Sequence, residues 1–274
     1  MTQTTHRRRS SRKKRRRQPR AGLLWVILLL AVLSFCILYF MGGGLLRRMA
    51  APEQNPLSPS DFRTVDGYVT CTAVPTRRGV DVSQYQQEVD WQQVYAAGFD
   101  FAFIRIGYRG NTTGELYADE LARQHLADAK EAGLDVGVYF YSQAITPEEA
   151  AEEARWCLTF LEDTALELPV VYDWEWVGSE TRTAGMDRET LTDCAVTFCQ
   201  AIEEAGYRSM VYFNSHISRE LLELQRLREY PFWLAQYREA MDYEYRVDFW
   251  QYTETGAVPG ISGNVDINLM FLHE

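Results

Sequence analysis

Asp173 and Glu175 close an apolar segment in which residues 168–176 read LPVVYDWEW. Such a run, introduced by a proline, predicts a buried strand. Because successive strand side chains point to opposite faces, the two acids share one face, with Cα atoms about 6–7 Å apart. One carboxyl group could donate a proton while the other stabilises a sugar cation, which is the chemistry of glycosidic-bond cleavage. The alternative is an edge strand that carries two solvated acids.

The elements that would position these acids are indicated by a junction that occurs three times. A helical stretch ends at a glycine, and an apolar run begins within a few residues, at Gly98, Gly133 and Gly206. Glycine accepts the left-handed backbone conformation that commonly ends a helix. Three successive units of helix, glycine and strand indicate βα units and a mainly parallel sheet.

Eight segments rich in β-branched and aromatic residues predict strands. They are residues 79–83, 101–106, 136–141, 169–174, 209–213, 231–237, 248–252 and 265–269. Helices are predicted over residues 90–97, 119–132, 147–162 (with Thr146 as cap), 187–205 and 215–227. We therefore predict an α/β fold, an irregular TIM-like (β/α) barrel with eight strands and about five helices, over residues 79–274.

Two further acids fall on the first and last predicted strands, at Asp81 and Asp266. In such barrels the functional residues collect at the C-terminal ends of the strands. The first and eighth strands of a closed barrel are neighbours, so Asp81 and Asp266 would lie side by side and share a cavity with Asp173 and Glu175. Crowded acids raise one another's pKa values and keep a carboxyl group protonated near neutral pH. Taken singly, Asp81 could cap a turn and Asp266 could bind loop amides.

Aromatic and amide side chains lie near the same predicted strand ends. Tyr139, Tyr141, Tyr212 and Trp176 would offer flat faces and hydroxyl groups for sugar binding, and Gln251 would recognise hydroxyl or amide groups. Packing between barrel and helices is the alternative for such large aromatics.

The N-terminal region differs from the rest of the chain in charge and hydropathy. Residues 1–48 contain 12 basic residues and no acid, whereas the remainder carries 16 basic and 38 acidic residues, a net charge of −22. Residues 21–46 are uncharged and long enough to cross a bilayer as a helix, which needs about 20 apolar residues. The alternative is a cleaved signal peptide, whose apolar region is shorter, about 7–15 residues.

This pattern predicts four regions: a basic cytoplasmic tail (1–20), a transmembrane anchor (21–46), an extracellular stalk (47–78) and the barrel (79–274). The excess of Lys and Arg before the span places the N-terminus in the cytoplasm and the barrel outside the cell membrane. Because the basic run lies beside a predicted membrane span, its effect on membrane orientation is enough to explain it. We therefore expect no nucleic-acid partner.

Five cysteines and four histidines show no metal-ligand spacing. We therefore predict no structural metal, and we expect the cysteines to be buried free thiols.

Five motifs along residues 79–272 resemble the lysozymes of glycoside hydrolase family 25. They read GVDVSQYQ (79–86, followed by VDW at 89–91), AFIRIGY (102–108), AGLDVGVY (132–139), LPVVYDWE (168–175) and VDIN (265–268). The resemblance implies an N-acetylmuramidase that hydrolyses the β-1,4 bond between N-acetylmuramic acid and N-acetylglucosamine in peptidoglycan, without a cofactor. One departure is Gln87, which stands where a glycine is common.

By the same resemblance, Glu175 would be the general acid/base. Asp173 would orient the substrate's 2-acetamido group or act directly on the sugar cation, and Asp81 and Asp266 would complete the acidic floor.

The resulting expectation is a monomeric, membrane-anchored peptidoglycan hydrolase that binds glycan strands and remodels the nearby cell wall. A catalytically inactive tethered peptidoglycan-binding module is one alternative, and a chitinase-like hydrolase is another. The chitinase motif has a further aspartate two residues before Asp173, where this chain has Val171.

Overall fold

The computed structural model describes residues 51–273, and within this range the chain forms eleven strands and six α-helices. The strands are β1 (Phe62–Val65), β2 (Tyr68–Cys71), β3 (Thr76–Val82), β4 (Phe101–Arg109), β5 (Leu116–Ala118), β6 (Asp135–Ser142), β7 (Val170–Trp174), β8 (Ser209–Asn214), β9 (Phe232–Ala235), β10 (Phe249–Gly256) and β11 (Val265–Phe271). The helices are α1 (Trp91–Ala96), α2 (Ala122–Glu131), α3 (Pro147–Leu161), α4 (Arg188–Glu204), α5 (Ser215–Glu220) and α6 (Leu224–Leu227).

Eight of the strands close into a barrel, in the order β3-β11-β10-β9-β8-β7-β6-β4, and a parallel β3–β4 pairing completes the ring. They coincide with the eight strands predicted from sequence, so the predicted α/β barrel is confirmed. The short β5 pairs antiparallel with β4, and it was not predicted.

The last barrel strand runs against its neighbours. β11 is antiparallel to both β10 and β3, whereas the other barrel pairings are parallel. A hairpin connection from β10 requires no crossover helix, because antiparallel neighbours can be joined by a short loop. As a consequence, the start of β11 lies at the rim where the parallel strands end.

The barrel interior is closed by aromatic side chains. Phe101, Phe103, Trp233 and Phe249 are buried together, and Phe103 stacks on Trp233 with ring centroids 4.6 Å apart. Gly79 leaves room for this packing, since a Cβ there would lie 2.3 Å from the Phe101 ring. These rings form a solid floor, so the barrel is a packed core rather than a pore.

Four of the five predicted helices are confirmed to within a few residues. The predicted cap Thr146 accepts a hydrogen bond from the Glu149 backbone N–H. The predicted helix 119–132 instead begins at Ala122, because the Asp119 carboxylate accepts hydrogen bonds from the Leu121 and Gln84 backbones and from Arg105.

The fifth predicted helix, 215–227, was wrong as a single element and consists of α5 and α6. Contacts with α4 hold the break between them. The Leu222 carbonyl accepts hydrogen bonds from Arg188, and the Glu223 backbone N–H donates to Thr192 Oγ1.

The β1–β2 hairpin lies within residues 47–78, which we interpreted as a stalk. Its Phe62 is buried edge-on against Trp250, with ring centroids 5.0 Å apart. Farther towards the N-terminus, Glu53 forms an ion pair with Arg246 at 2.7 Å. Part of this segment therefore packs on the barrel.

The predicted basic tail (1–20) and transmembrane anchor (21–46) lie outside the described residues. Within residues 51–273, no helix combines the length and apolar character needed to span a bilayer.

Candidate active site

A cavity of about 280 Å³ opens at the rim where the parallel strands end. All four predicted carboxyl groups line it, together with most of the predicted binding residues. The lining comprises Asp81, Ser83, Tyr85, Gln86, Arg105, Tyr139, Tyr141, Asp173, Glu175, Tyr212, Trp233, Tyr237, Gln251, Glu254 and Asp266.

Asp173 and Glu175 reach this cavity because β7 alternates its faces as the sequence pattern predicted. Trp174 is buried in the layer between barrel and helices, while Asp173 faces the cavity and is 5% exposed. Glu175 follows the last residue of β7 and is half-buried.

Burial and the negative charges of Asp81 and Glu254 raise the pKa of Glu175 to about 7. Burial, followed by the charges of Glu175 and Asp81, raises the pKa of Asp173 well above its usual range. Glu175 can therefore hold a proton near neutral pH and release it to a reacting group, which is the property of a general acid.

The backbone at Glu175 lies beyond the strand and is held by a buried amide. Gln143 Nε2 donates to the Glu175 carbonyl at 3.0 Å, and Gln143 Oε1 accepts from Thr183 Oγ1 at 3.0 Å. Gln143 has no exposed surface. This contact fixes the backbone from which the Glu175 carboxyl group extends.

Asp81 and Asp266 are directly opposite each other on the antiparallel strands β3 and β11. Burial raises the pKa of Asp81 to about 6, although hydrogen bonds with Asn268, Gln251 and Asp266 oppose the rise. Burial and the charges of Asp81 and Glu254 raise the pKa of Asp266 to about 9. Near neutral pH, Asp266 therefore holds the proton of the pair.

Two amide side chains hold the Asp81 carboxylate in place. Asn268 Nδ2 and Gln251 Nε2 both donate to Asp81 Oδ1, at 2.7 and 2.9 Å. Gln251 Oε1 in turn accepts from the hydroxyl groups of Tyr212 and Tyr237, at 2.9 and 3.1 Å. Gln251, predicted to contact substrate, thus orients a carboxylate with its amide nitrogen.

The predicted aromatic residues divide into two groups. Tyr139, Tyr141 and Tyr212 line the cavity, and burial raises the pKa of each hydroxyl group, so the three remain hydrogen-bond donors. Trp176 is not part of the lining and is 55% exposed.

Seven residues of the cavity lining were not identified from sequence as site residues, among them Arg105, Glu254 and Tyr85. Arg105 follows Phe103 on the inward face of β4, so alternation along the FIRIGY motif was a usable signal. Glu254 lies in β10, beyond the predicted strand end at Tyr252, and Tyr85 is 73% exposed in the loop after β3. Gln87, in the same loop, adopts φ 54°, a conformation that favours glycine.

Among residues 51–273, no group of three His, Cys, Asp or Glu side chains is arranged to hold a metal ion. Of the predicted free thiols within this range, Cys157, Cys194 and Cys199 are buried and Cys71 is half-buried.

A (β/α) barrel with several acids at its functional rim, some of them able to hold a proton near neutral pH, is the architecture of a glycoside hydrolase. Residues 80–261 match the sequence profile of Glycosyl hydrolases family 25, and the chain belongs to this family.

Relatives of this chain include characterised and uncharacterised proteins. It is 28% identical over 207 residues to the uncharacterized protein YegX of Escherichia coli O157:H7, covering 71% of this chain and 69% of that one. It is 26% identical over 194 residues to the autolytic lysozyme of Clostridium acetobutylicum, covering 70% and 55%.

A solved structure with the same fold is that of the modular autolysin LytC from Streptococcus pneumoniae. The TM-score is 0.64 at 23% identity, and the match covers 77% of this chain and 52% of LytC. This chain thus spans about half the length of LytC and of the clostridial lysozyme.

Proposed function

We propose that this protein hydrolyses the β-1,4 bond between N-acetylmuramic acid and N-acetylglucosamine in peptidoglycan. The observation that carries the proposal is the convergence of Asp81, Asp173, Glu175 and Asp266 on one cavity, in a member of family 25. The lysozyme relative from Clostridium acetobutylicum supports peptidoglycan as the substrate.

Glu175 acts as the general acid. Its pKa of about 7 keeps a substantial fraction protonated at neutral pH, so it can protonate the glycosidic oxygen as the bond breaks. The resulting carboxylate then accepts a proton from the water that completes hydrolysis.

Asp173 orients the 2-acetamido group of the sugar at the cleaved bond. Its Oδ1 atom is buried and has no hydrogen-bond partner. A buried carboxyl oxygen without a partner is costly, and an acetamido N–H would supply one. The acetamido oxygen, held in place, can then attack the anomeric carbon in a substrate-assisted reaction.

Asp81 and Asp266 form the acidic floor of the site. The negative charge of Asp81 helps to raise the pKa of Glu175 and stabilises the positive charge that develops on the sugar, while Asp266 holds its proton beside it.

The location that we propose for the enzyme is based on the sequence of residues 1–46. A transmembrane anchor at 21–46, with the basic tail inside the cell, would hold the barrel outside and restrict cleavage to cell wall near the membrane. We therefore propose local wall remodelling as its role.

The test is mass spectrometry of purified peptidoglycan after digestion by the full-length chain in detergent, with Glu175→Gln as the control. Amide and carboxyl groups are nearly isosteric, so the control keeps its fold but loses the proton donor. We expect fragments with reducing N-acetylmuramic acid ends from the native enzyme alone. Reducing N-acetylglucosamine ends, or equal digestion by the control, contradict the proposal. Binding to intact glycan without cleavage indicates a tethered binding module.

A further inference from the structure

A second cavity, of about 320 Å³, adjoins the acidic cavity. Tyr85, Arg105 and Tyr141 line both, so the two cavities share one wall. The far side of the second cavity includes Tyr108 and Asn111. A substrate bound across the carboxyl groups of the first cavity could therefore extend a substituent past Arg105 into the second cavity, and the substituent would remain in contact with the protein.

The charged side chains that line the two cavities differ in sign. Five carboxyl groups and one arginine line the first cavity, whereas Arg105 and Arg109 line the second and no acid does. Neutral sugar rings suit the first cavity, in which acids perform the chemistry. The second cavity suits an anionic substituent, because that substituent would meet cations on leaving an acidic region.

Arg105 is the cation with free hydrogen-bonding capacity. Its Nε donates to Asp119 Oδ2 at 2.9 Å, while Nη2 is buried without a partner. The guanidinium carbon lies 5.0 Å from the Tyr85 ring centroid and 5.4 Å from that of Tyr108. The two rings and Asp119 therefore hold a planar donor in position, and such a donor binds a carboxylate well.

Arg109 is already engaged through all three of its nitrogen atoms, and its charge is paired with two carboxylates. Its nitrogen atoms donate to the carboxylates of Glu152 and Glu153 and to the carbonyls of Gly114 and Glu149. Recognition of an anion in this cavity accordingly falls to Arg105.

We propose that the second cavity binds the 3-O-lactyl arm of N-acetylmuramic acid, and that Arg105 donates a hydrogen bond to a carboxylate of this arm. The inference rests on the proposed peptidoglycan substrate. The carboxylate can come from two sources, namely the lactyl group itself in peptide-free glycan, or the peptide attached to it. N-acetylglucosamine has no such arm, so this cavity would distinguish peptidoglycan from chitin.

The experiment measures binding by calorimetry, using full-length protein in detergent with Glu175→Gln to prevent turnover. The ligands are three disaccharides of N-acetylglucosamine and N-acetylmuramic acid, which carry a free lactyl carboxylate, a lactyl dipeptide or an uncharged lactyl methyl ester. Because a hydrogen bond between a guanidinium and a carboxylate is stronger than one to a neutral ester, at least one charged ligand should bind about tenfold or more tightly than the ester. The tighter of the two charged ligands identifies the source of the carboxylate.

Asn111→Asp tests the cavity without altering Arg105. Asn111 is exposed, and the change is nearly isosteric but adds a negative charge to the cavity. The affinity for the charged ligands should fall and that for the ester should stay unchanged. Thr64→Asp, with the same charge change at an exposed position of β1, is the matched control and should affect none of the three. Arg105→Gln should remove the preference for charge.

Equal affinity for the ester and both charged ligands overturns the proposal, as does a charge preference that Asn111→Asp leaves intact. Displacement of the charged disaccharides by glycerol phosphate at equal concentration also overturns it, and indicates a site for a phosphate polymer. These measurements require no turnover. If the digestion experiment yields no reducing muramic acid ends while the charge preference is present, the proposed hydrolysis is contradicted and the proposed binding site is retained.

Discussion

Asp81 on β3 and Asp266 on β11 are directly paired across antiparallel strands, so the closure of the barrel places two carboxyl groups side by side. The pair holds one proton near neutral pH, because the pKa of Asp266 rises to about 9 and that of Asp81 to about 6. The difference between the two pKa values has a structural cause. Asp81 accepts hydrogen bonds from Asn268 and Gln251, which stabilise its charged form.

The first prediction concerns stability against pH. The pKa of Asp266 is about 9 in the folded protein and 3.8 as its ordinary value, so folding favours the protonated form. Its contribution to stability is complete below the ordinary value and is lost as the pH rises through about 9. The melting temperature should therefore fall between about pH 5 and pH 9, and Asp266→Asn should make this fall smaller. Circular dichroism melts measure both. An equal slope in the variant contradicts the assignment.

The second prediction concerns the pH profile of hydrolysis. Activity that depends on protonated Glu175 should decline above its pKa of about 7. Glu254 raises this pKa through its negative charge, and its side chain is exposed. Glu254→Gln should move the basic limb of kcat/KM to lower pH, because the charged form of Glu175 then meets less repulsion.

The control for that measurement is Glu220→Gln, which removes an exposed acid of α5 that does not line the cavity. It should leave the basic limb in place. If the two variants move the basic limb equally, the assignment of a local effect of Glu254 on the pKa of Glu175 is contradicted.

The third prediction concerns the amide behind Glu175. Gln143→Met keeps the side-chain size but leaves the Glu175 carbonyl and the Thr183 hydroxyl without their buried partner. Each such loss costs about 1–3 kcal/mol, so the free energy of unfolding should fall by at least this amount. Urea titration measures it, and Gln92→Met at an exposed position of α1 is the matched control.

The same variant should lower kcat more than it raises KM, because it displaces the acid without removing a substrate contact. A normal kcat in a destabilised Gln143→Met protein would assign Gln143 to the fold alone.

The fourth prediction concerns the proposed anchor. A chain without residues 1–48 loses 12 basic residues and the apolar run at 21–46, and retains a net charge of −22. It should be recovered in the soluble fraction and should digest peptidoglycan, whereas the full chain should sediment with membranes. Fractionation followed by digestion measures both. Aggregation of the shortened chain, or solubility of the full chain, contradicts the assignment.

Much of the fold was predictable because its signals are local. Alternation and β-branched residues located all eight barrel strands, and Thr146 indicated the start of α3. The common face of Asp173 and Glu175 was also predictable, because alternation is a property of the strand backbone itself.

Other features depend on contacts between residues that are distant in sequence. The predicted helix 119–132 does not include Asp119, because Asp119 binds Arg105 and Gln84. The chain breaks before α6 because Arg188 and Thr192 of α4 bond to the backbone there. No local pattern records such contacts.

The sequence by itself determined the barrel strands, the acids at their ends and the membership of a glycoside hydrolase family, because strand propensity and motif spacing act over short stretches of chain. The tertiary structure alone decided the rest of the site. It brought Arg105 and Glu254 to the cavity, left Trp176 outside it, and reversed β11 so that Asp266 meets Asp81. It also set which carboxyl groups keep a proton, since burial and neighbouring charges exist only after distant segments have packed together.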